Sequence, residues 1–339
     1  MKKGLLGLLL VVLGLATLHA QDVSSRRAQI SRSIASTILG QDAEKLNFFQ
    51  AILDNDLKAI DEFLAMPKGL HNANVSLTKR EGLPFLHNGK RYNLPAAWAN
   101  GSSRTPLMVA AEVGALEVVA KLLSVGANVN KTLDENWTPL CFATKGTSLE
   151  SDKRFLLEQT LAGRKNQTLG QRQAEVVKLL LRVGADPAKA CGDKNQVSPL
   201  YMAVEEPEYL DIVKILGREL KKVDELDSFV GQMKDNPLTH AVWAGNKAAM
   251  VELLKLGAKA DGQYSQYDKM VVSPAFQAVY SNRLDMLKIL IEDYQGCACA
   301  YYDNVEHEWL YAVEEAERLG YTTIANYLRS QGYGSSDGD

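Results

Sequence analysis

The sequence predicts an all-α chain in which one short helix–turn–helix unit recurs along most of the length, and three observations carry that prediction. The first is the stretch 105–130, TPLMVAAEVGALEVVAKLLSVGANVN. Thr105 followed by Pro106 is a helix start, because the hydroxyl can accept from an orphan amide and proline at the first helical position has no amide to leave unsatisfied. Gly114 ends that helix after two turns. Leu116, Val118, Val119, Leu122 and Leu123 then recur at helical spacing, and Gly126 supplies the left-handed stop. The second observation is that the start repeats, as Thr138-Pro139-Leu140, Ser198-Pro199-Leu200, Asn236-Pro237-Leu238 and Ser273-Pro274-Ala275. From Pro106 onward the proline spacings are 33, 60, 38 and 37 residues. The third is that an alanine follows each start at the same distance (Ala110, Ala143, Ala203, Ala241, Ala278), where a small side chain lets two helices touch.

Two helices this short cannot bury their apolar faces alone, so each unit makes physical sense as one plate in a stack. The TPL start, the conserved distance to the alanine and the second-helix runs EVVAKLLSVGA, EVVKLLLRVGA and AAMVELLKLGA together resemble the ankyrin repeat, whose period is 33 residues. The resemblance implies an ankyrin-repeat solenoid of about seven helix–turn–helix units with hairpin fingers, two insertions and an N-terminal capping helix.

Taken in order, residues 1–20 differ in kind from the rest. Lys2 and Lys3 precede an apolar run from Leu5 to Leu18 that ends at Ala20, the form of a secretory signal peptide; an uncleaved membrane anchor is the alternative reading of the same run. In the 21–44 segment, Ile30, Ile34 and Ile38 at four-residue spacing mark an amphipathic capping helix. The ankyrin-repeat domain then runs over 45–330. Its first unit, 48–64, is divergent, with Ala51 in the small position and Asn55-Asp56 at the turn. The first insertion occupies 65–104, where Asn88-Gly89 between apolar runs is a hairpin turn signal. The second occupies 147–172, and Thr168 with Gln171 has the form of a capping box, so the helix that follows should begin early and run long. The fourth unit lacks the Gly-Ala stop, which predicts a helix that overruns. Residues 311–329 match a terminal unit with Ala316 small and Gly320 at the turn. The Gly/Ser/Asp-rich tail, 331–339, is expected to be disordered.

Four cysteines in a chain with a leader raise the question of disulfides. The repeat register accounts for Cys141, Cys297 and Cys299 as small buried residues. A bond between Cys141 and Cys191 is the alternative for that pair, since Cys191 falls in the hairpin after the third unit, and Cys297-Ala298-Cys299 could close a strained ring.

Removal of the leader lysines leaves 36 basic against 41 acidic residues, a mild balance that argues against nucleic acid or an anionic membrane as partner. No further stretch is long and apolar enough to cross a bilayer, so no membrane contact is expected after leader cleavage. The five histidines do not fall at metal-ligand spacing, and no nucleophile elbow, phosphate loop or dinucleotide fingerprint is present. No catalytic residue, cofactor or metal is expected. His240 replaces an apolar residue, which predicts a buried, hydrogen-bonded imidazole. Four glycosylation sequons, at Asn74, Asn100, Asn136 and Asn166, would matter only in a eukaryotic secretory pathway, and the leader looks bacterial.

What remains is surface. The ankyrin resemblance implies that residues just before each inter-helix turn, and those before each helix start, line a concave groove that binds another protein. Carried over, these are Glu112, Val113, Lys145, Glu205, Glu206, Trp243 and Tyr280, with Trp137 and Met270 preceding helix starts. The expected function is a periplasmic or secreted protein-binding scaffold, acting as a monomer. An inhibitor or immunity partner of another exported protein fits that description. The alternatives are a secreted effector acting on a host protein and an enzyme whose site lies in the insertions.

Overall fold

A computed structural model describes residues 51–52, 55–65, 84–87, 90–93, 104–132, 136–145, 167–192, 197–223, 225–227, 236–261, 263–265, 270–298, 301–303 and 308–334. The leader at 1–20, the capping helix at 21–44 and the second insertion up to residue 166 lie outside them, as do residues 335–339 of the tail.

The described chain is mostly helical. A single helix, α1 (Leu57–Leu64), is followed by six helix pairs: α2 (Pro106–Glu112) with α3 (Leu116–Ser124), α4 (Pro139–Thr144) with α5 (Leu169–Arg182), and α6 (Pro199–Ala203) with α7 (Leu210–Lys222). The remaining three are α8 (Pro237–Ala244) with α9 (Lys247–Leu256), α10 (Pro274–Tyr280) with α11 (Leu284–Lys288), and α12 (Ala312–Arg318) with α13 (Thr322–Ser330). Strands are confined to three antiparallel hairpins, β1 (Pro84–His87) with β2 (Lys90–Asn93), β3 (Gln263–Ser265) with β4 (Met270–Val272), and β5 (Tyr301–Asp303) with β6 (Glu308–Leu310). In the first, His87 pairs with Lys90, and Asn88-Gly89 between them lies outside the described residues. The second and third lie side by side through β4 and β5.

Five inner helices begin in the same way, and the reason is chemical. Thr105, Thr138, Ser198, Asn236 and Ser273 hold extended backbone and accept the amide of the residue three further on, at 3.2, 3.2, 3.0, 2.9 and 3.3 Å, with proline in the first turn of each helix. Each cap satisfies one donor that the helix itself cannot reach. The inner helices then stack on one another from α2 through α12, and the outer helices stack from α3 through α9. The small-residue column sits where these layers meet: Ala110, Ala143, Ala203, Ala241, Ala278 and Ala316 are fully buried. A larger side chain at any of them would force the plates apart.

The outer helices vary in the way the sequence suggests. Thr168 and Gln171 form the reciprocal capping box, at 3.0 and 3.2 Å, and α5 runs for 14 residues. Pro207 replaces a turn glycine in the next unit, giving a 3₁₀ turn (Pro207–Tyr209) before the 13-residue α7. Helix α11 loosens into a π turn (Ile289–Asp293), and Gly296 follows with its amide 2.7 Å from the Leu290 carbonyl. A Cβ on Gly296 would meet the Ala260 carbonyl at 2.9 Å, so the close approach of two fingers requires glycine there.

Packing alone does not account for the cysteines. Cys141 and Cys191 are bonded, S–S 2.07 Å, across 50 residues of chain. Together with Met202, and with Trp137 and Val197 at its margin, the bond forms a small apolar cluster separate from the main core. Cys191 also exchanges backbone hydrogen bonds with Val197, at 2.8 and 3.0 Å, which closes the finger that carries it. Cys297 is disulfide-bonded as well, so the reading of Cys141 and Cys297 as ordinary buried thiols is corrected. Cys299 lies outside the described residues.

Candidate functional site

The residue seven positions after each capping residue falls within two residues of the end of the inner helix and marks a single line across the stack: Glu112, Lys145, Glu205, Trp243, Tyr280 and Arg318. The structure divides that line in two. Lys145, Glu205, Trp243, Tyr280 and Arg318 are exposed, and the two aromatics each present 56% of their surface. Such large rings cost free energy to hydrate and are what a docking face offers.

Glu112 and Val113 do not belong to that face. Both are fully buried, which corrects the expectation that they line it. Glu112 forms a buried ion pair with Arg104, whose guanidinium also lies over the Phe142 ring at 4.4 Å. Burial pulls the Arg104 pKa down, and the neighbouring Glu112 opposes that shift. The Glu112 carbonyl accepts from Gln173 Nε2 at 2.9 Å, so α5 braces the end of α2.

Trp137 is also corrected. It is half-buried, tilted against Phe142 at 5.5 Å on the margin of the disulfide cluster, with Lys145 Nζ over its ring at 4.4 Å. That indole is a wall of the cluster, and Lys145 is its lid. Met270 lies in β4, and its side chain is outside the described residues.

Trp243 is built differently. Its indole stacks on His240, centroids 5.1 Å apart, and His240 stacks on Tyr201 at 3.8 Å, so three rings from α6 and α8 form one column with the indole at its exposed end. His240 is buried and its Nε2 donates to Glu205 Oε1 at 2.8 Å, as a hydrogen-bonded imidazole requires. The Glu205 side chain remains half exposed. Glu206 follows it, partly exposed, at the start of the 3₁₀ turn. Asn246 repeats the bracing role of Gln173: its Oδ1 caps α9 by accepting from Ala249 at 3.1 Å, and its Nδ2 donates to the Val204 carbonyl at 2.9 Å. At the far end, Arg318 is held by Glu315 through two hydrogen bonds, at 2.6 and 2.7 Å, which raise its pKa above the usual arginine value.

Gln173 and Asn246 were not singled out from the sequence, yet each stands eleven residues before the helix-ending glycine of its unit, Gly184 and Gly257. That register is the signal that would have found them. Arg104 precedes the first capping residue and carried no local signature.

Among the described residues no cluster of three or more histidines, cysteines or carboxylates could hold a metal, and no helix is long and apolar enough to cross a membrane. What the face offers is shape, two aromatic rings and fixed charge.

A stack of capped inner helices, small buried contacts and paired outer helices defines a helical repeat protein. The Ankyrin repeat family model matches residues 102–132, which span α2 and α3, so that segment is an ankyrin repeat. The resemblance read from 105–130 therefore holds. No curated protein matches the chain. Repeats of this kind serve as protein-binding scaffolds.

Proposed function

We propose that the protein is an exported scaffold that binds another protein along the concave side of a solenoid of about seven units, with insertions at 65–104 and 147–172 and a capping helix at 21–44. The observation that carries the reading is the pair Trp243 and Tyr280, equivalent positions on adjacent inner helices, each 56% exposed. Two neighbouring aromatics on one face are the usual anchors of an interface. The binding face runs from Glu205 to Arg318, and Glu112, Val113 and Trp137 serve the fold behind it.

Export is supported by the leader at 1–20 and by the Cys141–Cys191 bond, because structural disulfides persist in oxidising compartments. The role is that of an inhibitor, immunity partner or protective scaffold for another exported protein. The protein acts as a monomer, and no reaction is assigned to it.

Capture from the native envelope by tagged wild-type protein and by the Trp243→Ala/Tyr280→Ala variant, with bound proteins identified by mass spectrometry, tests the face. A partner retained by wild type and lost by the variant, at an unchanged thermal melt, is the expected result. A partner held equally by both removes the face assignment. Fractionation tests export: the mature protein should leave the cytoplasm with its N-terminus at Gln21.

A further inference from the structure

We propose that the Trp243 face takes a cationic side chain, an arginine or lysine that the partner protein presents to it. This rests on the docking reading above and sharpens it to a chemical class.

The geometry around the indole carries the inference. Trp243 is the exposed end of a stack whose lower rings, His240 and Tyr201, are buried, so its outer surface is held in place by packing and open to solvent. Beside the stack, His240 Nε2 engages Oε1 of Glu205 and fixes a carboxylate that is still half exposed. The other carboxylate oxygen has lone pairs for an incoming donor. An open aromatic face with a fixed carboxylate at its edge is complementary to a guanidinium or ammonium group, which can lie over the ring while donating to the acid.

The surrounding charges favour the same occupant. Other cations of this face are engaged: Lys145 on the Trp137 ring at 4.4 Å, Lys247 with Asp285 at 3.0 Å, and Arg318 with Glu315 at 2.6 Å. Arg283 lies with its guanidinium against Gly245, while Glu205, fixed on His240, and Glu206 beside it in sequence set two carboxylates against that one cation. An acidic segment would meet repulsion there, and a purely apolar one would leave the Glu205 oxygen desolvated without a donor. Tyr280, one inner helix further on, gives the chain that carries the cation a second ring to rest on.

The probe is a short fluorescent peptide of alternating glycine and arginine, with its citrulline twin, which keeps the shape and loses the charge. Anisotropy titrations use the full mature chain as wild type, Glu205→Gln and Trp243→Ala, each first shown to melt like wild type. The expected result is that wild type binds the arginine peptide about tenfold more tightly than the citrulline one, and that each substitution weakens arginine binding by about tenfold. Equal binding of the two peptides, no loss in Glu205→Gln, or no binding of the arginine peptide to wild type overturns the proposal. The docking reading is scored separately by the envelope capture. If Trp243→Ala/Tyr280→Ala loses the partner while Glu205→Gln keeps it, the face is a docking site without a cation pocket. If the double variant keeps the partner, the docking reading falls too.

Discussion

The same place in the repeat meets opposite fates at the two ends of the stack. Seven residues after its cap, α2 carries Glu112, a charged residue that is 1% exposed; α8 and α10 carry Trp243 and Tyr280, apolar rings that are each 56% exposed. Hydrophobicity alone would have reversed the two. The difference comes from what each position meets. Glu112 faces Arg104, which arrives from the chain just before the first cap, and is covered by α5 reaching across with Gln173. Trp243 rests on the flat face of His240 and keeps 56% of its surface exposed. Burial at one end makes a clamp for the fold, and exposure at the other leaves a surface for something else.

The largest test of that contrast is Glu112→Ala. It takes the carboxylate away from the buried Arg104 guanidinium, and loss of one partner of a buried pair costs about 3–5 kcal/mol. Denaturant unfolding should show a loss of that size, whereas Trp243→Ala should change stability by less than about 0.5 kcal/mol, as a surface substitution does. Comparable losses for both would mean that the two ends are not different in kind. The Cys141–Cys191 bond comes next. It closes a 50-residue loop, so Cys141→Ser/Cys191→Ser should cost about 2–4 kcal/mol, chiefly through a freer unfolded chain. Treatment of wild type with a reductant should lower the melt at least as much, because it also breaks the bond of Cys297.

These contrasts mark what the sequence could and could not reveal. The caps, the alanine column and the capping box at Thr168 were legible, because each depends on a residue type at a fixed distance from another within one unit. Exposure along the seventh position was not legible, because it is decided between units. Glu112 and Lys145 are equivalent by register, yet only one of them has an arginine brought to it by the preceding loop. Trp137 differs for the same reason: it is half-buried against a disulfide whose second cysteine, Cys191, lies in a different finger. Trp243 and Tyr280 kept their expected exposure because nothing among the described residues reaches over them.

Asn246→Ala probes the bracing that both regions share. The substitution removes the α9 cap and the donor to the buried Val204 carbonyl together, for an expected cost of about 1–3 kcal/mol. The matching Gln173→Ala at the other region should cost a similar amount, since Gln173 donates to the Glu112 carbonyl in the same register. A large excess for Gln173→Ala over Asn246→Ala would mean that the clamp around Glu112 depends on the brace as well as on Arg104.

The smallest effect sets the other limit of the contrast, since Lys247 and Asp285 join the fifth and sixth plates with opposite charges as Arg104 and Glu112 join their own part of the stack. Here both side chains are at least half exposed, and water and salt screen them. The hydrogen bond from Lys247 holds the Asp285 pKa below the usual aspartate value. A carboxylate depressed in the folded state adds stability above its unfolded pKa, and that gain is lost as pH falls through the lower folded value. Asp285→Asn should therefore cost less than about 0.5 kcal/mol at neutral pH. The cost should vanish in high salt and in strong acid, whereas that of Glu112→Ala should persist in salt, because a buried pair is screened much less. Unfolding curves of the two variants at low and high ionic strength separate the cases, and a Glu112→Ala loss that salt erases would show that its burial does not decide its strength.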